Sequence, residues 1–367
     1  METVAVCSSN FKKNERCLDY IEFEMCDSVI PIALLDVDQS FEKVPEDGVV
    51  VEINAFSCNY RDKSIVIHSN DKCRNQSVSG NLYYYPVGSE FVGKVVEIGN
   101  EVKHLRIGDR VIPDGAYPLK ADGTFGGLPT NCASQRFQML SQAYLKKIPD
   151  TMSDEVAAAF TIAGQTVYSM LRKLDLKFGQ SILVTAATSN TSLAVISALR
   201  KYNVNIYACS TSDANFDKLK ELGVNECITK SSLESRETAL LTSSFGGFDA
   251  VIDPFFDLYL YPVFGHIKNG GKYITCGLYA QNGKFENQNK QQLDFGMFLG
   301  TSISQNISII GNCLGTTSDL DMALKDFEAG IFDIRIDSVW DKSNLLHFFQ
   351  KTFHQVPRLG KVIFKYD

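Results

Sequence analysis

Small hydroxyl-bearing residues crowd one short stretch of this chain: Thr188, Ser189, Thr191 and Ser192, with Ala186-Ala187 ahead of them and Asn190 among them. Ile182-Leu183-Val184, just before, reads as a short buried strand, and Leu193, Ile196 and Leu199, just after, form one face of a helix. The hydroxyls therefore fall at a helix N-terminus, where unsatisfied N–H groups and the positive end of the helix dipole favour an anion such as a phosphate. A second cluster, Ser210-Thr211-Ser212, closes the next strand, Val204 to Cys209. It could receive an anion or cap the helix that follows. The ten cysteines (7, 17, 26, 58, 73, 132, 209, 227, 276 and 313) contain no C-x-x-C pair and no cluster at metal-site spacing. In a reducing compartment they read as small buried apolar side chains.

The elements that must position these groups change character along the chain. Residues 30–150 alternate short strands, such as Val49–Ala55, Gly93–Ile98 and Arg110–Ile112, with Gly, Pro and Asn punctuation. At Ser153-Asp154-Glu155 a serine cap and two acids lead into the apolar Val156–Phe160, a helix start. Strands then alternate with helices. Phe248–Asp253 and Lys272–Cys276 are the later strands, and this alternation implies a doubly wound parallel sheet. From about 295 the character is mixed again, ending in strand-like Lys361–Phe364.

Gly88-Ser89-Glu90-Phe91-Val92-Gly93, then Val96, Gly99, Val102 and Gly108-Asp109-Arg110-Val111, resemble the medium-chain dehydrogenase/reductase superfamily. Lys147-Ile148-Pro149-Asp150, Ala157–Ala159, Thr166 with Tyr168, Leu222-Gly223 and Gly271-Lys272-Tyr273 extend the likeness over most of the chain. The resemblance implies an α/β protein with a GroES-like β-rich catalytic domain, residues 1–152 and 296–367, and a Rossmann-type domain, 153–295. Zinc-dependent members carry a cysteine, a histidine and a third ligand where this chain has Asn59, Ser89 and the neighbourhood of Ile162. Cys58 is one residue off the first position and, on an extended strand, faces the other way. Neither a catalytic zinc nor a structural zinc is expected, since the segment after Val111 offers only Cys132.

Asn59-Tyr60-Arg61-Asp62 is similar instead to the N-[YF]-[RK]-D motif of zinc-independent quinone oxidoreductases and enoyl reductases. Those proteins pass hydride from NADPH to a C=C bond conjugated to a carbonyl. The resemblance places Asn59 near the nicotinamide and lets Tyr60 donate a hydrogen bond or proton. Equally, Tyr60 could pack with its hydroxyl satisfied while Arg61 pairs with Asp62 to brace a turn. Tyr83-Tyr84-Tyr85 reads as core or rim packing.

The family expects a glycine-rich turn at Ala186–Ser192, and every expected glycine is replaced. Asn190 is the residue that best tolerates left-handed backbone. Ala187, Thr188, Ser189, Asn190, Thr191 and Ser192 are the expected phosphate cradle, with Asn59, Thr166 and Gly277 carried over by resemblance. Ser210 stands where NAD-specific members place an acid, so Ser210, Thr211 and Ser212 favour NADPH. The expected substrate is a small molecule (quinone, enone or enoyl thioester) or a dehydroamino acid in a peptide. Carbonyl or alcohol chemistry, and a non-catalytic protein that has lost its cofactor, are the alternatives. Similar proteins form homodimers, and one is expected here. Residues 116–131 form a Gly- and Pro-containing loop of open role.

At 367 residues the chain is long enough for two domains. A net charge of −7 with scattered Lys and Arg argues against nucleic acid. No apolar run suits a membrane span and no signal peptide is evident, so the cytoplasm is expected.

Overall fold

The computed structural model describes residues 1–38, 41, 43–76, 82–115, 127–280, 295–354 and 357–366. Of the loop 116–131, residues 116–126 lie outside that set. The chain divides into two compact units, Met1–Ile162 with Ile336–Asp367, and Ala163–Arg335.

The first unit opens with strands β1 (Glu2–Cys7), β2 (Cys17–Met25), β3 (Ser28–Asp36) and β4 (Gly48–Ser57), followed by helix α1 (Asp62–Gln76). Strands β5 (Tyr84–Pro86), β6 (Glu90–Ile98), β7 (Arg110–Pro113), β8 (Phe137–Ser141) and β9 (Leu145–Lys147) continue it. Helix α2 (Asp154–Ala157) starts on Ser153, whose hydroxyl accepts the Val156 N–H, and α3 (Phe160–Leu174) leads into the second unit. That unit alternates β10 (Ser181–Val184), α4 (Asn190–Leu199), β11 (Asn205–Ser210), α5 (Phe216–Glu221), β12 (Glu226–Thr229) and α6 (Arg236–Ser244). It continues through β13 (Phe248–Asp253), α7 (Phe256–Phe264), β14 (Ile267–Thr275), α8 (Phe295–Ser304), β15 (Ser308–Gly311) and α9 (Thr317–Glu328). The chain returns to the first unit with β16 (Ile336–Trp340), α10 (Leu345–Phe353) and β17 (Lys361–Lys365).

In the first unit one sheet has the order β2-β3-β1-β5 and a second β16-β17-β4-β6-β7-β9, with β8 also paired to β4. Strand β4 is buried on both faces, and its Phe56 meets Phe348, Phe364 and Tyr366 in an aromatic core. Gly93 is the close-approach residue of this sheet: a Cβ there would lie 2.5 Å from the Glu52 carbonyl oxygen of β4. Three neighbouring strands, β17, β4 and β6, thus bring Lys361, Ser57 and Glu90 to one end of the sheet.

The second unit holds a parallel sheet of order β12-β11-β10-β13-β14-β15. Counted within the unit this is 3-2-1-4-5-6, the dinucleotide-binding order, and right-handed crossovers then wind helices onto both faces. The winding reverses between β10 and β13, so the carboxyl ends of those strands form the expected crevice. The sequence reading returns the chain to the first domain at 296, whereas the contacts return it at Ile336. Residues 296–335 stay with the second unit because β15 pairs with β14 and Asp319 of α9 pairs with Arg172 of α3 at 2.9 Å.

Candidate functional site

The motif Asn59-Tyr60-Arg61-Asp62 forms the turn between β4 and α1, closed by an Asp62 N–H to Asn59 carbonyl bond of 2.9 Å and an Asn59 N–H to Asp62 Oδ2 bond of 2.8 Å. Around it lies a buried polar cradle. The Lys361 ammonium donates to Asn59 Oδ1 and to Glu90 Oε1, both at 2.7 Å. Asn59 Nδ2 donates to Glu90 Oε1 at 2.9 Å and to Ser89 Oγ at 3.1 Å. Ser89 Oγ in turn donates to Asp62 Oδ2 at 2.6 Å, and the Ile162 N–H reaches Glu90 Oε2 at 2.9 Å. Ser57 Oγ sits 2.8 Å from the Ala158 carbonyl and 3.2 Å from Glu90 Oε1. Ser89 and Glu90 have no exposed surface, and Lys361 is only 4% exposed.

Charges in the cradle balance, Glu90 against Lys361 and Asp62 against Arg61 at 2.9 Å. Burial pushes the Asp62 carboxyl above the usual carboxylate range, although the Arg61 guanidinium, the Ser89 hydroxyl and the Asn59 N–H all pull it down. Arg61 does brace the turn, and it also donates to Asn131 Oδ1 at 2.9 Å. Tyr60 is half-buried, with the Lys63 ammonium 5.6 Å from its ring centre and Arg358 within electrostatic reach. Tyr83 and Tyr85 pack against the core, and Tyr85 also donates to Gln76 Oε1 at 2.7 Å.

The cradle does not suit zinc. The Asn59 oxygen is already held by an ammonium, the Ser89 hydroxyl by a carboxylate, and Ile162 offers only its N–H. Cys58 is buried in the core, and burial pushes its thiol well up. Among the described residues, no three His, Cys, Asp or Glu side chains are gathered as a metal could use them.

At the switch point of the second unit, the left-handed residue is Ala186, at φ 44°, and not Asn190, which is the first residue of α4. For alanine that conformation costs about 1–2 kcal/mol, which is the penalty of the missing glycine. The Ala187 N–H is spent on the Cys209 carbonyl at 2.9 Å. Ser189 caps α4 by accepting the Ser192 N–H at 3.2 Å, and Ser192 Oγ donates to the Thr185 carbonyl at 2.6 Å. These two hydroxyls therefore hold the loop together. Thr188 and Thr191 remain half-buried, and the first-turn amides of Asn190 and Thr191 have no acceptor within their own helix. Asn190 Oδ1 is buried without a partner. The anion-holding N–H groups a dinucleotide phosphate needs are thus present, while fewer side-chain hydroxyls are available than the sequence suggests.

Ser210 is buried at the end of β11, whereas Thr211 and Ser212 are exposed. The capping role is not theirs: the N-cap of α5 is Asn215, without a side-chain bond. Thr166 is buried on α3. Gly277 is demanded by close approach, since a Cβ would lie 2.7 Å from the Pro254 carbonyl oxygen. Beside it stands a group the sequence did not single out. Asp253, at the carboxyl end of β13, is wholly buried and accepts from Thr185 Oγ1 at 2.6 Å, from the Phe255 N–H at 2.8 Å and from the Tyr273 hydroxyl. Burial, which those bonds only partly offset, pushes its carboxyl up to about 6. An acid closing the apolar run Ala250-Val251-Ile252 was the available signal. Lys361 and Glu90 were missed as a pair because they lie far apart in the chain.

Residues 45–150 match the alcohol dehydrogenase GroES-like domain family. A mitochondrial enoyl-acyl-carrier-protein reductase of Caenorhabditis elegans is 32% identical over 155 residues, 41% of each chain. A mycocerosic acid synthase-like polyketide synthase of Mycobacterium tuberculosis is 26% identical over 217 residues, 58% of this chain and 9% of that protein. These matches support the resemblance to the medium-chain dehydrogenase/reductase superfamily that the sequence motifs carry. The chain covers only a minor part of the curated relatives it matches. Solved structures share its fold along the whole chain. An NAD-dependent alcohol dehydrogenase has a TM-score of 0.76 at 18% identity, covering 100% of this chain and 99% of that one. The CurK enoyl reductase has 0.70 at 16%, covering 100% of both. No helix among the described residues is long and apolar enough to cross a membrane.

Proposed function

We propose that this protein is a zinc-independent, NADPH-dependent reductase of a C=C bond conjugated to a carbonyl. The observation that carries the reading is the cradle of Asn59, Ser89, Glu90 and Lys361, in which the cation meeting the amide oxygen and the carboxylate is an ammonium. Such a cradle spends its charges and donors on one another, braces the turn that carries Tyr60 and leaves no open ligand for a Lewis acid. Conjugate reduction needs no metal, because an enolate can be held by hydrogen bonds and a weak acid such as Tyr60, or water, supplies the α-proton. NADPH, when bound, supplies the hydride.

The amides of Asn190 and Thr191 would hold its pyrophosphate, and the exposed Thr211 and Ser212 would meet the 2′-phosphate where no carboxylate repels it. Among quinones, enones, enoyl thioesters and dehydropeptides, the name of the C. elegans relative favours an enoyl thioester. A cytoplasmic homodimer completes the proposal. Strand β15 is an uncharged sheet edge, and the neighbouring α8 exposes Phe295, Leu299 and Ile303, which suits a second copy. One observation favours the alternative of a binding protein without turnover: the strained Ala186, where a cofactor loop would carry glycine.

The test is NADPH oxidation in the presence of an enone or an enoyl thioester, with product analysis. Saturated product, formed at a rate unchanged by a chelator, is expected. Activity abolished by chelation, or alcohol oxidation with the C=C bond untouched, would overturn the reading.

A further inference from the structure

The Lys361 ammonium lies inside the first unit, nearly cut off from water. Lysine is almost never fully buried unless paired, and even a paired buried ion gains little over an apolar residue of similar size. Stability alone is therefore a weak reason for a lysine at the first residue of β17. Its geometry supplies a better one.

An asparagine amide can face either way, and hydrogen-bond chemistry decides which. An ammonium has donors only, so the group that Lys361 meets at 2.7 Å must be the Asn59 oxygen. That choice turns Asn59 Nδ2 toward Ser89 Oγ and Glu90 Oε1, both of which accept. Both amide protons are then spent and the oxygen is held. The backbone of the same residue is fixed by its N–H bond to Asp62, and Tyr60 is the next residue in the turn.

We propose that Lys361 is a positioning residue, an internal cation that sets the Asn59 amide and, through it, the turn presenting Tyr60. The cradle is thereby preorganised by an ammonium. The kinetic consequence rests on the reductase reading, whereas the geometric one stands apart from it.

The experiment uses the full chain labelled with 15N-asparagine, with the Asn59 side-chain signal identified by its loss in Asn59→Ala. In the wild type, the Asn59 amide protons should exchange slowly with solvent. Lys361→Met leaves Glu90 buried without a counter-charge and should unfold more easily. The charge-balanced Lys361→Met/Glu90→Gln variant should recover its thermal unfolding temperature and yet not its function. Its Asn59 signal should shift and exchange faster, and kcat should stay about 100-fold down, the cost of a misplacement of about 1 Å. KM for NADPH should change little, since uniform binding is not what is lost.

Rapid exchange of the Asn59 protons in the wild type would overturn the proposal. So would a double variant that regains full kcat, or one that keeps the wild-type Asn59 signal. Should the wild type reduce no conjugated substrate, the reductase reading falls and the Asn59 signal alone decides the role of Lys361.

Discussion

The two units bury acids in opposite ways. In the first, Glu90 is met by the Lys361 ammonium, an amide, a hydroxyl and a backbone N–H. In the second, the hydrogen bonds to Asp253 come from two hydroxyls and a backbone N–H, and none of these donors is a cation. Both acids stand at strand ends, Glu90 at the start of β6 and Asp253 at the close of β13. The contrast separates a charge-balanced cradle, whose loss would be felt as broken pairing, from a lone carboxyl whose ionisation depends on pH near neutrality.

The largest effect is expected where the pair is broken. Glu90→Gln leaves a buried ammonium without its counter-charge, which should cost about 3–5 kcal/mol in denaturant unfolding. A cost below about 1 kcal/mol would mean that water reaches Lys361 and the contrast dissolves.

Asp253→Asn should act in the other direction. Burial lifts the native carboxyl from its ordinary 3.8 to about 6, so protonation favours the folded state. The stability this group contributes is complete below 3.8 and is lost as pH rises through about 6. The stability of the asparagine variant relative to wild type should therefore rise as pH goes from 5 to 8. Urea unfolding across that range reads it directly, and a gain independent of pH would contradict the assignment.

Ser189→Ala should have the smallest effect, a loss of about 1 kcal/mol for the α4 cap. Because that hydroxyl is spent within the loop, NADPH affinity should be nearly unchanged. A large loss of affinity would return Ser189 to the phosphate.

The sequence made the architecture legible because periodicity and turn chemistry act locally. Phe248–Asp253 is a strand as read, and the alternation after residue 153 becomes the 3-2-1-4-5-6 sheet. The return of the chain at Ile336 was less legible, since the choice of sheet for β15 is a tertiary matter. The site was half visible. Asn59 and Arg61 announced themselves by motif, but the partner that orients Asn59 is separated from it by 302 residues. In the cofactor loop the residue types were clear and their duties were not. Composition cannot tell a hydroxyl that caps its own helix, as Ser189 does, from one that faces a ligand. Nor does a glycine-free loop show which residue takes the left-handed turn, a strain that fell on Ala186.

The most direct test of the central claim is titration of the purified protein with NADPH and with NADH, followed by nicotinamide fluorescence and thermal stability. NADPH should bind tightly, bind more strongly than NADH and raise the unfolding temperature. Binding of neither would contradict the account and leave a dehydrogenase fold without its cofactor.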